Sequence, residues 1–205
     1  MTATTFNIVV VHPSVPVNSV KELIALAKAR PGELNYGTGG SPGSATHLAG
    51  ELFTSRAGVN IVRVNYKNTT DSLIGLRAGE MHVVFSGVAA AVALIKAGHV
   101  RALAVTSITP FALFPGLPTV AASGLPGYEM VSMDFLSASG GTPTPIINRL
   151  NREIVRALNS AEMKEKFLAQ GAEVTPSTPE QLAAKIKADM TTAAKVIKEA
   201  GIKPE

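Results

Sequence analysis

Short β-branched runs alternate with stretches of helical periodicity along most of the chain. Asn7 to His12, NIVVVH, is a short apolar run that Pro13 closes, which predicts a strand. In the following NSVKELIALAKARPG, Ser19 and Glu22 stand at capping-box spacing. Val20, Leu23, Ile24 and Ala27 share one helical face, and Pro31-Gly32 ends the helix. Leu34 to Gly37 reads as a buried strand that runs into a glycine-rich loop, after which Ser44 caps a helix carrying Leu48, Ala49, Leu52 and Phe53. The pattern continues with a strand at Asn60 to Tyr66, a helix over 70–78, a strand at His82 to Phe85, a very apolar helix over 87–97 and a strand at Arg101 to Thr106. Strand and helix in this alternation predict βαβ units and an α/β fold with a mostly parallel sheet flanked by helices.

From Ser107 to Tyr128 prolines and glycines crowd the chain, which reads as a long surface connection. Beyond Met133 the character is helical and more densely charged. Thr144-Pro145 opens one helix, Ser160 caps a second, and Thr178-Pro179 with Gln181 opens a third. Their apolar stripes (Ile146, Ile147, Leu150, Ile154, Leu158; Leu182, Ile186, Met190) need burial, yet few strands remain to cover them. Either these helices pack back on the preceding part, or they belong to a second lobe whose strands lie mostly elsewhere.

Composition narrows the function. With 46% hydrophobic and 17% charged residues the 205-residue chain is globular, large enough for one domain or two small lobes. The formal charge of +4 is scattered, without a run of Lys or Arg, and the absence of Trp removes the obvious stacking platform. Nucleic acid is therefore not an expected partner. There is no Cys, so disulfides and thiolate chemistry are excluded. No stretch approaches the roughly 20 apolar residues of a membrane span, and MTATTFNIVVVHPSV lacks the basic start of a signal peptide.

The candidate chemistry lies in residues 36–50, YGTGGSPGSATHLAG. No Gly-Lys-Ser/Thr follows Gly37, so this is not a Walker loop. Pro42 replaces the third glycine of a dinucleotide fingerprint, and the G-x-S-x-G frame of a nucleophile elbow is missing. What remains is a glycine turn followed by a helix start bearing Ser44 and Thr46. Such a turn either cradles a carboxylate or other small anion, or is a plain strand-to-helix connection. His47, one turn into the helix, either meets a ligand or pins the loop through a backbone carbonyl. It has no assembled nucleophile and carboxylate to make it a catalytic base. Ser86-Gly87, after the next buried strand, is a second helix start at the same sheet edge, or simply a cap. His12, His82 and His99 show no metal-ligand spacing, so neither metal nor cofactor is expected.

Several blocks together resemble a known family: VVVHPSVPVNSVKELIALAKARPGELNYGTGG with PGSATHLAGELF, VRVNYKNTTDSLIGLRAGEMHVVF, IKAGHVRALAVTS, LPTVAASGLPGYE, GGTPTPIINRLNREI, and AQGAEVTPSTPEQLAAKIK with KVIKEAGIKPE. In kind and order they resemble the Bug-type solute receptors, the extracytoplasmic binding proteins of tripartite tricarboxylate transporters. The resemblance implies a type 2 periplasmic-binding-protein plan, with two α/β lobes joined by crossing strands and closing on a small carboxylated solute. It also implies a non-catalytic function, a periplasmic location and delivery of the solute to the membrane subunits of a transporter. Relatives are usually longer at the N-terminus. The implied division is therefore a second lobe over residues 9–131, and a segment 132–205 that crosses back and supplies C-terminal helices to an incomplete first lobe.

Carried over block by block, the family's ligand contacts fall on Thr38, Gly39, Gly40, Ser41, Ser44, Thr46 and His47. Ser86 and Gly87 join them, as does the crossing segment at Met133, Asp134 and Phe135. Two departures stand out. Ser86 occupies a position where relatives often have an acidic residue, and Asp134-Phe135-Leu136 replaces an aromatic pair followed by Gly. The first departure predicts a ligand with carboxylates and no ammonium group. Three rival readings carry their own requirements. An effector domain of a transcription regulator shares the two-lobed plan but needs a DNA-binding helix-turn-helix, which the N-terminus does not show. A hydrolase using Ser44 and His47 has both groups on one helix start and no third. A truncated product without binding activity should self-associate through its bare apolar helices.

Overall fold

The computed structural model describes residues 1–199, so the end of the last matching block, residues 200–205, lies outside the described residues. Its organising element is β1 (Ala3–Val11), which begins at Ala3, ahead of the apolar run that predicted it. The first half of β1, Ala3 to Phe6, pairs antiparallel with β6 (Val131–Asp134), and Ala3 to Thr5 also pair with β7 (Ala172–Val174). Its second half enters the larger sheet between β4 (Val83–Gly87) and β5 (Arg101–Val105), antiparallel to both. One strand thus belongs to two groups of strands, and the chain returns beside it through β6.

The larger sheet has the order β3-β2-β4-β1-β5, where β2 is Asn35–Gly39 and β3 is Val62–Tyr66. β2 runs parallel to both β3 and β4. The sheet is mostly parallel, as the alternation of elements predicts, with β1 running against its neighbours β4 and β5.

Helices follow the strands at the expected places: α1 (Val20–Ala29), α2 (Ala45–Ala57), α3 (Thr69–Arg77) and α4 (Val88–Lys96). The capping box at α1 forms, with Glu22 N–H donating to Ser19 Oγ and Asn18 N–H to the Glu22 carboxylate. Alternation along β1 sorts the core into two layers. Val9 and Val11 face α1 and α2 with Leu23, Phe53 and Phe85, whereas Ile8 and Val10 face α3 and α4 with Leu73, Leu76 and Ala91. Close approach fixes α2 on the sheet: a Cβ at Gly50 would come 2.2 Å from the Tyr36 ring.

The connection over 107–128 is not confined to the surface. Phe111, Val120 and Tyr128 are fully buried, Phe111 stacks on Phe6 with ring centroids 4.4 Å apart, and the Tyr128 hydroxyl donates to Ala49 O. Its prolines and glycines shape turns around apolar plugs that close the edge of the core.

The remaining helices are α5 (Thr144–Leu158), α6 (Ala161–Ala169) and α7 (Pro179–Glu199). Thr178 and Gln181 exchange hydrogen bonds at the start of α7, as their spacing predicts. Near its start α7 brings Leu182 to a small apolar cavity shared with Met1, Leu136, Ile147 and Leu150. Toward its end it buries Val196 in the core layer of α1 and α2. α5 keeps part of its apolar stripe bare, with Ile146 and Leu150 about half exposed.

Candidate ligand-binding site

Three strand-to-helix connections open on one edge of the large sheet: β2 to α2, β3 to α3 and β4 to α4. Because these strands are parallel neighbours, the starts of all three helices gather at their carboxyl ends. At the same edge β1 leaves toward β6 and β7, since Asn7 lies opposite Gly87 while Phe6 already pairs with Val131.

The glycine loop is the longest of the three. Gly39 ends β2 pressed against the start of α3, where an added Cβ would lie 2.0 Å from Thr69 N. Gly40 and Gly43 then take positive φ values of 97° and 83°, which only glycine adopts without strain. The loop is tied internally. Gly40 N–H donates to Tyr66 O and Ser44 N–H to Ser41 O, and the hydroxyls of Ser44 and Thr46 both donate to Gly39 O. Ser44 Oγ also accepts from His47 N–H, the cap that its position predicts. These bonds leave the N–H groups of Ser41, Ala45 and Thr46 without a partner among the described residues. Gly40, Ser41 and Gly43 are exposed. Unpaired amide donors at the positive end of the α2 dipole suit a carboxylate oxygen.

His47 lies beneath this loop, only 3% exposed. Its Nδ1 accepts from Gly43 N–H at 2.9 Å, so it pins the loop through a backbone amide and not through the carbonyl expected from sequence. The Arg63 guanidinium stands against Nε2, and the Glu51 carboxylate is 3.5 Å from the same nitrogen. Glu51 accepts from the Tyr36 hydroxyl at 2.6 Å and from Arg63 at 3.4 Å. Burial pushes the His47 imidazole below its ordinary value, Arg63 adds to that, and Glu51 opposes it. Thr38, also buried, donates to Asn65 Oδ1.

The other expected residues are placed as follows. Ser86 is fully buried at the end of β4, beside Gly87, and its hydroxyl donates to Gly87 O. The start of α4 is met by the α6–β7 turn, where a Cβ on Gly171 would come 2.9 Å from Ala89 N. Asp134 and Phe135 sit beyond the crossing. Asp134 pairs with Ala3, four positions along β1 from the partner of Gly87 and so about 13 Å away. The Asp134 carboxylate accepts from the Thr5 hydroxyl, whereas the Phe135 ring is about half exposed. The glycine loop, Ser86 and Gly87 therefore share one edge, Met133 and Asp134 belong to the strand that returns from it, and Phe135 lies just past that strand's end.

One element of this edge is absent from the sequence expectations: Asn68, Thr69 and Thr70 at the start of α3. Asn68 caps α3 by accepting from Asp71 N–H and donates to the Asp71 carboxylate. The signal was legible as Asn at the cap with Asp three residues on, directly after a strand. Among the described residues no group of three or more His, Asp or Glu side chains could hold a metal ion.

An α/β sheet whose helix starts face a pair of crossing strands is the plan of the two-lobed solute-binding proteins. The comparisons narrow this class. Residues 1–202 match the tripartite tricarboxylate transporter family receptor, and the chain belongs to that family. It is 35% identical over 196 residues to Protein BugT of Bordetella pertussis, covering 96% of this chain and 60% of that protein. A Pseudomonas protein of the UPF0065 group is 32% identical over 200 residues, covering 97% of this chain and 59% of that one. Among solved structures, an R. palustris protein with adipate is 37% identical with a TM-score of 0.86, covering all of this chain and 68% of the other. The periplasmic binding protein BugD is 27% identical with a TM-score of 0.78, covering 99% of this chain and 69% of the other. The chain thus spans about 60% of the curated relatives. Family and neighbours are solute-binding receptors, in agreement with the expectation of a non-catalytic protein.

Proposed function

We propose that this chain carries the larger part of a receptor site for a small di- or tricarboxylate, which the complete protein binds in the periplasm and passes to the membrane subunits of a transporter. The observation that carries this reading is the set of unpaired amide donors at Ser41, Ala45 and Thr46, at the positive end of α2 and beside the crossing strands. The adipate held by a neighbour at 37% identity supports the ligand class. Among the described residues no helix is long and apolar enough to cross a membrane.

In this reading residues 9–131 form the second lobe. Residues 132–205 return to the first, whose remaining strands correspond to the additional length of the relatives. Thr38, Gly39, Gly40, Ser41, Ser44 and Thr46 form the carboxylate cradle, Ser86 and Gly87 its flank, and Asp134 with Phe135 the far wall. Ser86 contributes no negative charge, so the preferred ligand has no ammonium group.

Isothermal titration against adipate, succinate, glutarate, citrate, acetate, phosphate and the amino acids aspartate and glutamate tests this directly. Binding of a di- or tricarboxylate, with aspartate and glutamate weaker than their deaminated analogues, is the expected result. Tighter binding of the amino acids would overturn the assignment at Ser86. Heat only with phosphate, or with none of them, would overturn the carboxylate reading.

A further inference from the structure

The buried histidine has no place in a cradle made of amides and hydroxyls, because protein groups already engage both of its ring nitrogens. We propose that His47 is a positioning residue that holds the glycine loop in its ligand-ready shape through Gly43, and that its protonation releases the loop and lowers carboxylate affinity in mild acid. This inference rests on the carboxylate reading only for its second half.

The geometry makes the bond depend on charge. Gly43 N–H donates to Nδ1, so that nitrogen must offer a lone pair and the ring proton resides on Nε2, where the Glu51 carboxylate 3.5 Å away is its acceptor and Arg63, which can only donate, stands alongside without bonding to the ring. A second proton can enter only at Nδ1, which turns the acceptor into a donor facing a donor. The segment it holds, 41–43, lies between Gly40 and the start of α2, and losing this tether leaves only the bond from Ser44 N–H to Ser41 O to fix it. The charged and titratable groups packed against the imidazole are Glu51 on its own helix, Arg63 on β3 and, through Glu51, Tyr36 on β2. Arg63 opposes a charged ring and Glu51 favours it. With burial on the side of Arg63, the neutral tethering form prevails at neutral pH.

The ring is not interchangeable with another residue of its size. Asn places an acceptor oxygen near the position of Nδ1 and does not titrate, whereas Leu fills the space with no acceptor. The test follows amide hydrogen exchange at Gly43 by NMR in the ligand-free full chain between pH 8 and pH 5, and in parallel measures adipate affinity. The wild-type chain, His47→Asn and His47→Leu are compared. In wild type, Gly43 is expected to be protected at pH 8 and to lose protection as the imidazole protonates, with adipate binding weakening about fivefold, the worth of one ordinary hydrogen bond. His47→Asn should keep both protection and affinity, flat across this pH range. His47→Leu should show the acid-like state at every pH.

If Gly43 exchanges freely at pH 8, or its protection ignores imidazole protonation, the tether does not exist. If His47→Asn loses as much affinity as His47→Leu while Gly43 stays protected in it, His47 contacts ligand and the positioning role falls. If adipate binds at no pH while Gly43 follows the imidazole, the tether stands and the carboxylate reading fails.

Discussion

At the scale of single residues, protonation governs more than the loop. His47 and His82 are both held below their ordinary value of 6.5 by burial, reinforced by Arg63 for the first and by His12 for the second. Burial likewise lowers the Met1 amino group from 8.0. A base whose folded pKa is depressed binds fewer protons folded than unfolded between the two pKa values. Its contribution is complete above the unfolded pKa and is lost as pH falls toward the folded one. All three groups share this sign, so the urea midpoint should fall steadily from pH 8 through the histidine range, and His47→Asn should flatten part of that slope. A midpoint that rises on acidification over the same range would contradict this. Gly39 shows how far a single position was readable. Its glycine identity announced a turn, but the reason for it, contact with the start of α3, involves a partner that the sequence pattern leaves unnamed.

At the scale of elements, strands and helices of the α/β part follow their periodicity closely. Ser19, Ser44 and Ser160 each cap the helix predicted for them. The failures have physical causes. Ala3 to Phe6 lack the apolar density of NIVVVH and become strand only because β6 and β7 pair with them. β7 has three residues, too few for any period to show. The direction of β1 is a third case, since alternation says which side chains face a layer and not which way the strand runs.

α7 shows the same limit in a helix. Its stripe of Leu182, Ile186 and Met190 predicted burial, yet Met190 is 68% exposed, whereas Val196, outside that stripe, is only 3% exposed. Truncating Val196 to Ala should therefore cost about 2 kcal/mol of unfolding free energy, and Met190→Ala less than about 0.5 kcal/mol. Equal effects from the two substitutions in chemical denaturation would mean that the end of α7 does not dock on the core.

At the scale of the molecule, part of the bare apolar surface gathers around the start of α5, where Leu136 and Leu150 line one cavity. Phe135, Leu136, Ile146 and Leu150 are 46 to 64% exposed, on the turn after β6 and the stripe of α5. This chain by itself should self-associate through that face. Sedimentation velocity checks this: a concentration-dependent increase is expected, and Ile146→Lys with Leu150→Glu should abolish it. A monodisperse monomer at every concentration would count against a sticky face.

The sequence by itself determined the class of fold, the places of most helices and strands, and the glycine loop that we propose as the anion cradle. Those depend on local periodicity, capping and glycine conformation, which neighbouring residues settle among themselves. Only the tertiary structure decided that β1 serves two groups of strands, that 107–128 plugs the core, that the start of α3 lies against the glycine loop at Gly39, and that His47 bonds the loop from below. Each of these depends on which residues distant in sequence come to lie together, a matter of whole-chain packing.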